Sequence, residues 1–286
     1  MRIHQWSKNL ILFVPLIATT EPANYVDLTA AAFAFFAFSF CSSSSYLLND
    51  IFDIENDKSH PRKRNRAFAA SLLSTFNGKV VASILALLGI TMSTSLSMNF
   101  SICLIIYLIL TSFYSIVLKK IVLIDCMTLT FLYTLRLVAG AIAFEIFLSF
   151  WLLAFSIFFF LSLAFLKRYS EIQNFIIENG NQILKGRGYE TSDSILVLNL
   201  GTISGFSSLI ILSFYINGES VTNLYQIPEI IWISLIILLF WISWVWLKAH
   251  RGELHDDPVI FALKDKVSIT CGFLLILSFV LASSEL

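Results

Sequence analysis

The sequence predicts an all-α membrane protein with nine transmembrane helices, and three observations carry that expectation. The 286 residues are 57% hydrophobic and only 13% charged, with a mean hydropathy of +0.82, outside the range of soluble domains. Nine apolar runs, most of them long enough to cross a bilayer, recur along the chain. The basic residues, finally, fall on alternate connections between those runs. The runs are too uniformly apolar for the alternation of a β-barrel. No internal repeat, low-complexity tract or linker divides the chain, so residues 1–286 read as one integral-membrane domain.

The spans fall at about 10–20, 28–48, 80–97, 101–117, 122–143, 149–166, 195–216, 229–247 and 267–284. The first is short and interrupted by Pro15, as in a re-entrant or tilted segment. With nine spans, 18 of the 19 Lys and Arg residues lie on one side, and the remaining one, Arg136, lies inside a span. The opposite connections carry only acids such as Glu21, Asp27, Glu145 and Glu219. This asymmetry predicts a plasma-membrane protein with a cytoplasmic N-terminus and an external C-terminus. The longest polar connections, 49–79, 167–194 and 248–266, then share the cytoplasmic face. Arg2 and Lys8 precede an apolar run without a small-residue cleavage site, so no cleavable signal peptide is expected. Cys41, Cys103, Cys126 and Cys271 lack CxxC spacing and read as small core residues.

The chemistry concentrates in residues 46–66, where four acids are followed by a block of bases. On a continuing helix, Asp50, Asp53 and Asp57 share one face, bordered by Asn49. Three carboxylates at helical spacing repel one another unless a cation lies among them, and hard oxygen donors suit Mg²⁺. Arg62, Lys63, Arg64 and Arg66 would draw an anion beside it, although juxtamembrane bases also serve topology or anionic lipid. Arg136 costs roughly 2.5–3.5 kcal/mol inside a span by insertion scales, so it should face the bundle interior with an anionic partner. Asp125 is about 16 Å away along the same helix, too far for direct contact, which leaves an acid of another helix or a substrate phosphate. Lys167 and Arg168 close the sixth span, where snorkelling or an intrahelical pair with Glu171 would explain them without a ligand. Glu253, Asp256 and Asp257 precede Pro258, as capping acids do at a helix start, so a functional role for them stays open. None of the four histidines has metal or triad spacing.

Asn49-Asp50-Ile-Phe-Asp53-Ile-Glu-Asn-Asp57 resembles the NDxxDxxxD signature of the UbiA superfamily of intramembrane prenyltransferases, whose nine-helix bundle also matches the span count. Further stretches resemble one branch, the decaprenyl-phosphate phosphoribosyltransferases. They are Gln5-Trp6-Ser7-Lys8-Asn9, the run Asp57 to Arg66, Leu135-Arg136-Leu-Val-Ala-Gly140-Ala, Lys167-Arg168-Tyr-Ser-Glu171 and the run Arg251 to Leu263. Ala67 departs from the proline usual after the arginine. The second DxxxD motif of quinone-pathway members is missing, its place after the sixth span held by Lys167, Arg168 and Glu171.

The resemblance implies a Mg²⁺-dependent transferase with its active site at the cytoplasmic side. Asp50, Asp53 and Asp57 would be catalytic metal ligands. Lys8, Asn49, Arg62, Lys63, Arg66, Tyr114, Lys119, Arg136, Lys167, Arg168, Glu171, Arg187 and Tyr189 would contact substrate. The expected partners are phosphoribosyl diphosphate, a polyprenyl phosphate and the bilayer, without nucleic acid. The reaction would release pyrophosphate and supply a precursor of cell-envelope polysaccharide. The acceptor phosphate, with a second pKa of about 6, is largely ionised at neutral pH and needs no strong base. A UbiA-type aromatic polyprenyltransferase is the alternative. A cation transporter fits less well, since transport sites pair polar groups near the midplane.

Overall fold

The computed structural model describes residues 3–17, 28–59, 63–179, 187–218, 225–254 and 257–283. A 3-10 helix, Ile3–Phe13, leads into the single turn α1 (Val14–Ile17). The helices that follow are α2 (Leu28–Phe52), α3 (Ile54–Ser59), α4 (Thr75–Thr94), α5 (Met98–Ile116), α6 (Ile124–Ala143), α7 (Phe150–Asn179) and α8 (Ser194–Ile216). Then come α9 (Ile231–His250), α10 (Pro258–Lys264) and α11 (Lys266–Ser283). Among the described residues eight helices are long and apolar enough to cross a membrane: α2, α4 to α9 and α11, some extended by an adjoining turn. Their outward residues, including Ile84, Leu87, Ile109, Ile203 and Ile236, are 51 to 65% exposed. Such a face is stable only where the surrounding solvent is itself apolar, which makes this a multi-pass membrane protein.

The predicted first span departs from the other eight. Its described part is the 3-10 helix and α1, while residues 18–27 lie outside the described residues, so nine spans are not confirmed. A 3-10 helix repeats every three residues, so side chains at i and i+3 eclipse. Trp6, Asn9 and Leu12 therefore form one row. Trp6 donates its indole N–H to Ser43 at 2.9 Å, and Asn9 Nδ2 donates to Ser39 at 2.9 Å. The Leu12 carbonyl packs on Gly140, where a side chain would collide with it. Polar partners on α2 thus set the winding of this segment, which hydropathy alone does not register.

The chain divides into two compact units. The first comprises Met1–Leu16, Pro22–Thr128 and Leu135–Ile146; the second comprises Ile17–Glu21, Leu129–Thr134 and Phe147–Leu286. In the first unit α2 packs along α4 and α5 and against the N-terminal 3-10 helix. Gly89 permits the α2–α4 approach, since a Cβ there would lie 2.7 Å from the Ala37 carbonyl oxygen. Ser74 and Ser97 cap α4 and α5, each hydroxyl accepting a backbone N–H at 3.1 Å. α4 begins before the predicted 80, so Lys79 lies in the helix, outside the connection.

In the second unit α7 packs along α8, and α9 packs on α7, α8 and α11. α7 runs for 30 residues, about 45 Å at 1.5 Å per residue, against roughly 30 Å of hydrocarbon. Lys167 and Arg168 therefore lie within a continuous helix that continues past the predicted end of the span.

Candidate active site

The first unit carries an acid-rich assembly at the end of α2. The helix stops at Phe52 and Asp53 occupies a turn, but the hydrogen-bond pattern continues into α3. Asp53 N–H donates to the Asn49 carbonyl at 3.0 Å, and Asp57 N–H to the Asp53 carbonyl at 2.8 Å. Asp50 and Asp57 consequently converge. Arg66 Nη1 lies 3.3 Å from Asp50 Oδ1 and 2.7 Å from Asp57 Oδ2. Asp53 turns elsewhere and pairs with Lys119, a buried residue of the 3-10 turn Leu118–Lys120. Glu55 leaves the group altogether, pairing at the surface with Lys58 at 3.0 Å. Asn49 is half-buried beside Asp50, and Tyr114 is half-buried on α5. Arg62 lies outside the described residues; Lys63 opens the short turn Lys63–Asn65.

The donor set fits Mg²⁺. Two buried carboxylates already hold one cationic group between them, and their oxygens are hard ligands. Among the described residues no three His, Cys, Asp or Glu side chains cluster closely enough to cage a metal. Mg²⁺ seldom needs such a cage, since it binds one or two carboxylates and completes its shell with water and substrate phosphates. Asp50 and Asp57 satisfy that requirement, with Asp53 one helical turn from each in sequence.

Deeper along α2 the same unit buries Arg136. Its Nη2 donates to the Tyr107 hydroxyl at 2.8 Å and its Nε to Asn9 Oδ1 at 3.3 Å. The guanidinium also lies over the rings of Tyr107 and Phe38, 4.9 and 5.4 Å from their centroids. Asn9, in turn, donates to Ser39. The Tyr107 hydroxyl, the Asn9 amide oxygen and two ring faces are thus among the groups that hold the arginine in the interior. Gly140 explains this placement: it admits Leu12 to α6, bringing Asn9 to Arg136 one turn earlier on each strand of the contact. Lys8, beside Asn9, is also buried. The spacing of apolar residues gives no sign of Tyr107 or Ser39. The polar run Ser42 to Ser45 inside a span is the feature that could have exposed this buried seat.

The second unit carries a cation-rich assembly on α7. Arg168 is fully buried, pairs with Glu171 one turn on and stacks over Tyr189 at 5.4 Å. Arg187 Nε approaches the same Glu171 oxygen at 3.6 Å. The anticipated i, i+3 pair thus forms, with Glu171 shared by two guanidiniums. Lys167 instead reaches Asp257 Oδ2 at 3.2 Å, a contact with no trace in sequence spacing. Asp257 Oδ1 accepts the Val259 N–H at 3.2 Å, capping α10 as the acids before Pro258 suggested. Glu253 pairs with Lys248, whose hydrogen bond holds its carboxyl below the usual carboxylate range. Asp256 lies outside the described residues.

Comparison with known proteins adds to this geometry. The model of the UbiA prenyltransferase family matches residues 10–175. The Sinorhizobium fredii protein y4nM is 38% identical over 99% of this chain, which spans 55% of y4nM's own length. The nodulation protein NoeC of Azorhizobium caulinodans is 33% identical over 94% of this chain and 87% of its own. A decaprenyl-phosphate phosphoribosyltransferase of Mycolicibacterium smegmatis is 29% identical over 93% of this chain and 86% of its own. Among solved structures, a UbiA homolog from Archaeoglobus fulgidus bound to DMAPP and Mg²⁺ superposes with a TM-score of 0.72 at 14% identity, covering 99% and 98% of the two chains. At that identity the likeness establishes the fold.

Proposed function

The chain belongs to the UbiA prenyltransferase family, and on that premise we propose that it transfers a 5-phosphoribosyl group from phosphoribosyl diphosphate to a polyprenyl phosphate. The observation that carries this reading is the basic assembly on α7. Where a prenyl-diphosphate enzyme of the quinone pathways has a second acid cluster, this chain places Lys167, buried Arg168 and, bridged through Glu171, Arg187. Guanidiniums match phosphate oxygens in a fork and stay charged at all physiological pH values. A donor bearing a 5-phosphate as well as a diphosphate needs such partners. The relative named decaprenyl-phosphate phosphoribosyltransferase, similar over nearly the whole chain, supports the same choice.

In the reaction the bond from the anomeric carbon to the diphosphate oxygen breaks, and the electron pair leaves with pyrophosphate. A phosphate oxygen of the lipid forms the new bond to that carbon. Asp50 and Asp57, with Asp53 contributing, would hold Mg²⁺, which when bound neutralises charge on the leaving diphosphate. Arg66 and Lys119, paired with those acids, are the cations at hand for diphosphate oxygens. Arg168 and Arg187 hold the sugar phosphate through charge-assisted hydrogen bonds. Arg136 contacts substrate from the apolar interior. The acceptor is already ionised, so these residues bind and orient and none needs to act as a base. The basic connections support a cytoplasmic face of the plasma membrane as the side of this chemistry, and the lipid product would serve envelope polysaccharide synthesis.

A second reading keeps the acids and changes the donor. The solved homologs bound to GPP or DMAPP with Mg²⁺ favour a prenyl diphosphate and an aromatic acceptor. Membranes containing the protein, supplied with phosphoribosyl diphosphate labelled in the ribose, separate the two. The proposal expects label in the lipid extract, lost on chelation of Mg²⁺. Label entering an aromatic product from prenyl diphosphate alone would replace it by the second reading.

A further inference from the structure

The geometry points to Asp257 as a positioning residue for Lys167, acting on donor binding through that lysine. The inference rests on the reading of Lys167 as a phosphate partner. Asp257 is 90 residues from Lys167 in sequence, yet its carboxylate divides between two tasks. Oδ1 accepts the Val259 N–H at 3.2 Å and so caps α10, with a long approach from the Tyr133 hydroxyl at 3.5 Å. Oδ2 accepts from Lys167 Nζ at 3.2 Å. The Asp257 side chain is 8% exposed and the Lys167 side chain 29%, so the pair lies at the boundary between protein and solvent.

A cap alone does not require this arrangement. Asn, Ser or Thr would cap α10 as well as Asp does, and the helix already has Pro258 at its first turn. The second oxygen has a separate consequence. Lysine is a point charge on a four-carbon stem with about 2 kcal/mol of rotamer entropy, so a free ammonium would be spread over many positions. A buried carboxylate oxygen at 3.2 Å narrows that spread. An ammonium also has three donor hydrogens, so a bond to Asp257 is compatible with a bond to phosphate. Tyr133 stacks on Phe160 of α7 at 5.4 Å, which steadies the other side of the carboxylate.

Asp257→Asn separates the two tasks. The amide oxygen keeps the cap, while the amide nitrogen turns a donor toward the lysine, which has only donors. Turnover is measured on purified protein in lipid nanodiscs for wild type, Asp257→Asn, Lys167→Met and the double variant, with kcat and KM for phosphoribosyl diphosphate determined separately. The expected result is a KM raised about tenfold in Asp257→Asn, the scale of one charge-assisted hydrogen bond, with kcat changed less than about twofold. In the Lys167→Met background Asp257→Asn should add nothing, because the residue it positions is gone. Effects that multiply in the double variant, or a wild-type KM in Asp257→Asn, would overturn the inference and leave Asp257 a helix cap. If Asp257→Asn does not fold, Asp257→Ser is run through the same cycle, with thermal stabilisation by phosphoribosyl diphosphate and Mg²⁺ as a second readout. If wild type uses only a prenyl diphosphate, the phosphosugar reading fails, and the cycle repeated with that donor still decides whether Asp257 acts through Lys167.

Discussion

The two compact units solve opposite electrostatic problems. In the first, Asp50, Asp53 and Asp57 gather at the end of α2, and Arg66 and Lys119 come from later in the chain to meet them. In the second, Lys167, Arg168 and Arg187 gather around α7, and the acids Glu171 and Asp257 are shared among them. Carboxylate oxygens are ligands suited to a hard cation, and guanidinium and ammonium groups are partners suited to phosphate. On the proposed reading the first would hold the metal and the leaving diphosphate, and the second the sugar phosphate.

Breaking the acid side should have the largest effect. Asp50→Ala or Asp53→Ala is expected to abolish turnover while the protein remains inserted, and Asp50→Ala should also abolish binding of Mn²⁺ with diphosphate, measured by electron paramagnetic resonance. Near-wild-type activity in either variant would remove the metal role. Breaking the basic side should shift donor use more than chemistry. Arg168→Met loses one salt bridge and a ring contact, and a KM for phosphoribosyl diphosphate raised about 30-fold is expected, in line with roughly 2 kcal/mol for charged hydrogen bonds. Arg136→Ala should raise the concentration of polyprenyl phosphate needed for half-maximal rate, whereas unchanged acceptor kinetics would return this arginine to a structural role.

The smallest effect concerns Asp265, at the junction of α10 and α11. Burial pushes the Asp265 carboxyl up, but hydrogen bonds from Ser268 and Trp244 outweigh it and leave it lowered. A lowered carboxyl stabilises the folded state at neutral pH, and that stabilisation is lost as pH falls below about 4. Thermal denaturation followed by Trp fluorescence should therefore show a fraction of a kcal/mol lost between pH 5 and pH 3 in wild type, and less in Asp265→Asn.

Where the fold follows from periodicity and length, the sequence is a sufficient guide. Eight of the nine predicted spans correspond to helices, and the acid motif occupies the helix end anticipated for it. The departures share one cause: a polar side chain satisfied by a distant partner. Trp6 and Asn9 wind the N-terminus as a 3-10 helix because Ser43 and Ser39 accept from them. Asp53 leaves its two neighbours because Lys119, 66 residues away, is within reach. Lys167 turns to Asp257 although Glu171 lies on its own helix. Spacing along one helix constrains only neighbours three or four residues apart, so contacts such as these are set by packing.

On the proposed reading the basic set on α7 selects a phosphosugar donor. The most direct measurement is mass spectrometry of the lipid formed when purified protein, Mg²⁺ and polyprenyl phosphate meet phosphoribosyl diphosphate and a prenyl diphosphate together, with an aromatic acid present. The expected product is a polyprenyl phosphate heavier by one phosphoribosyl group, with no prenylated aromatic. A prenylated aromatic with the polyprenyl phosphate unchanged would contradict it.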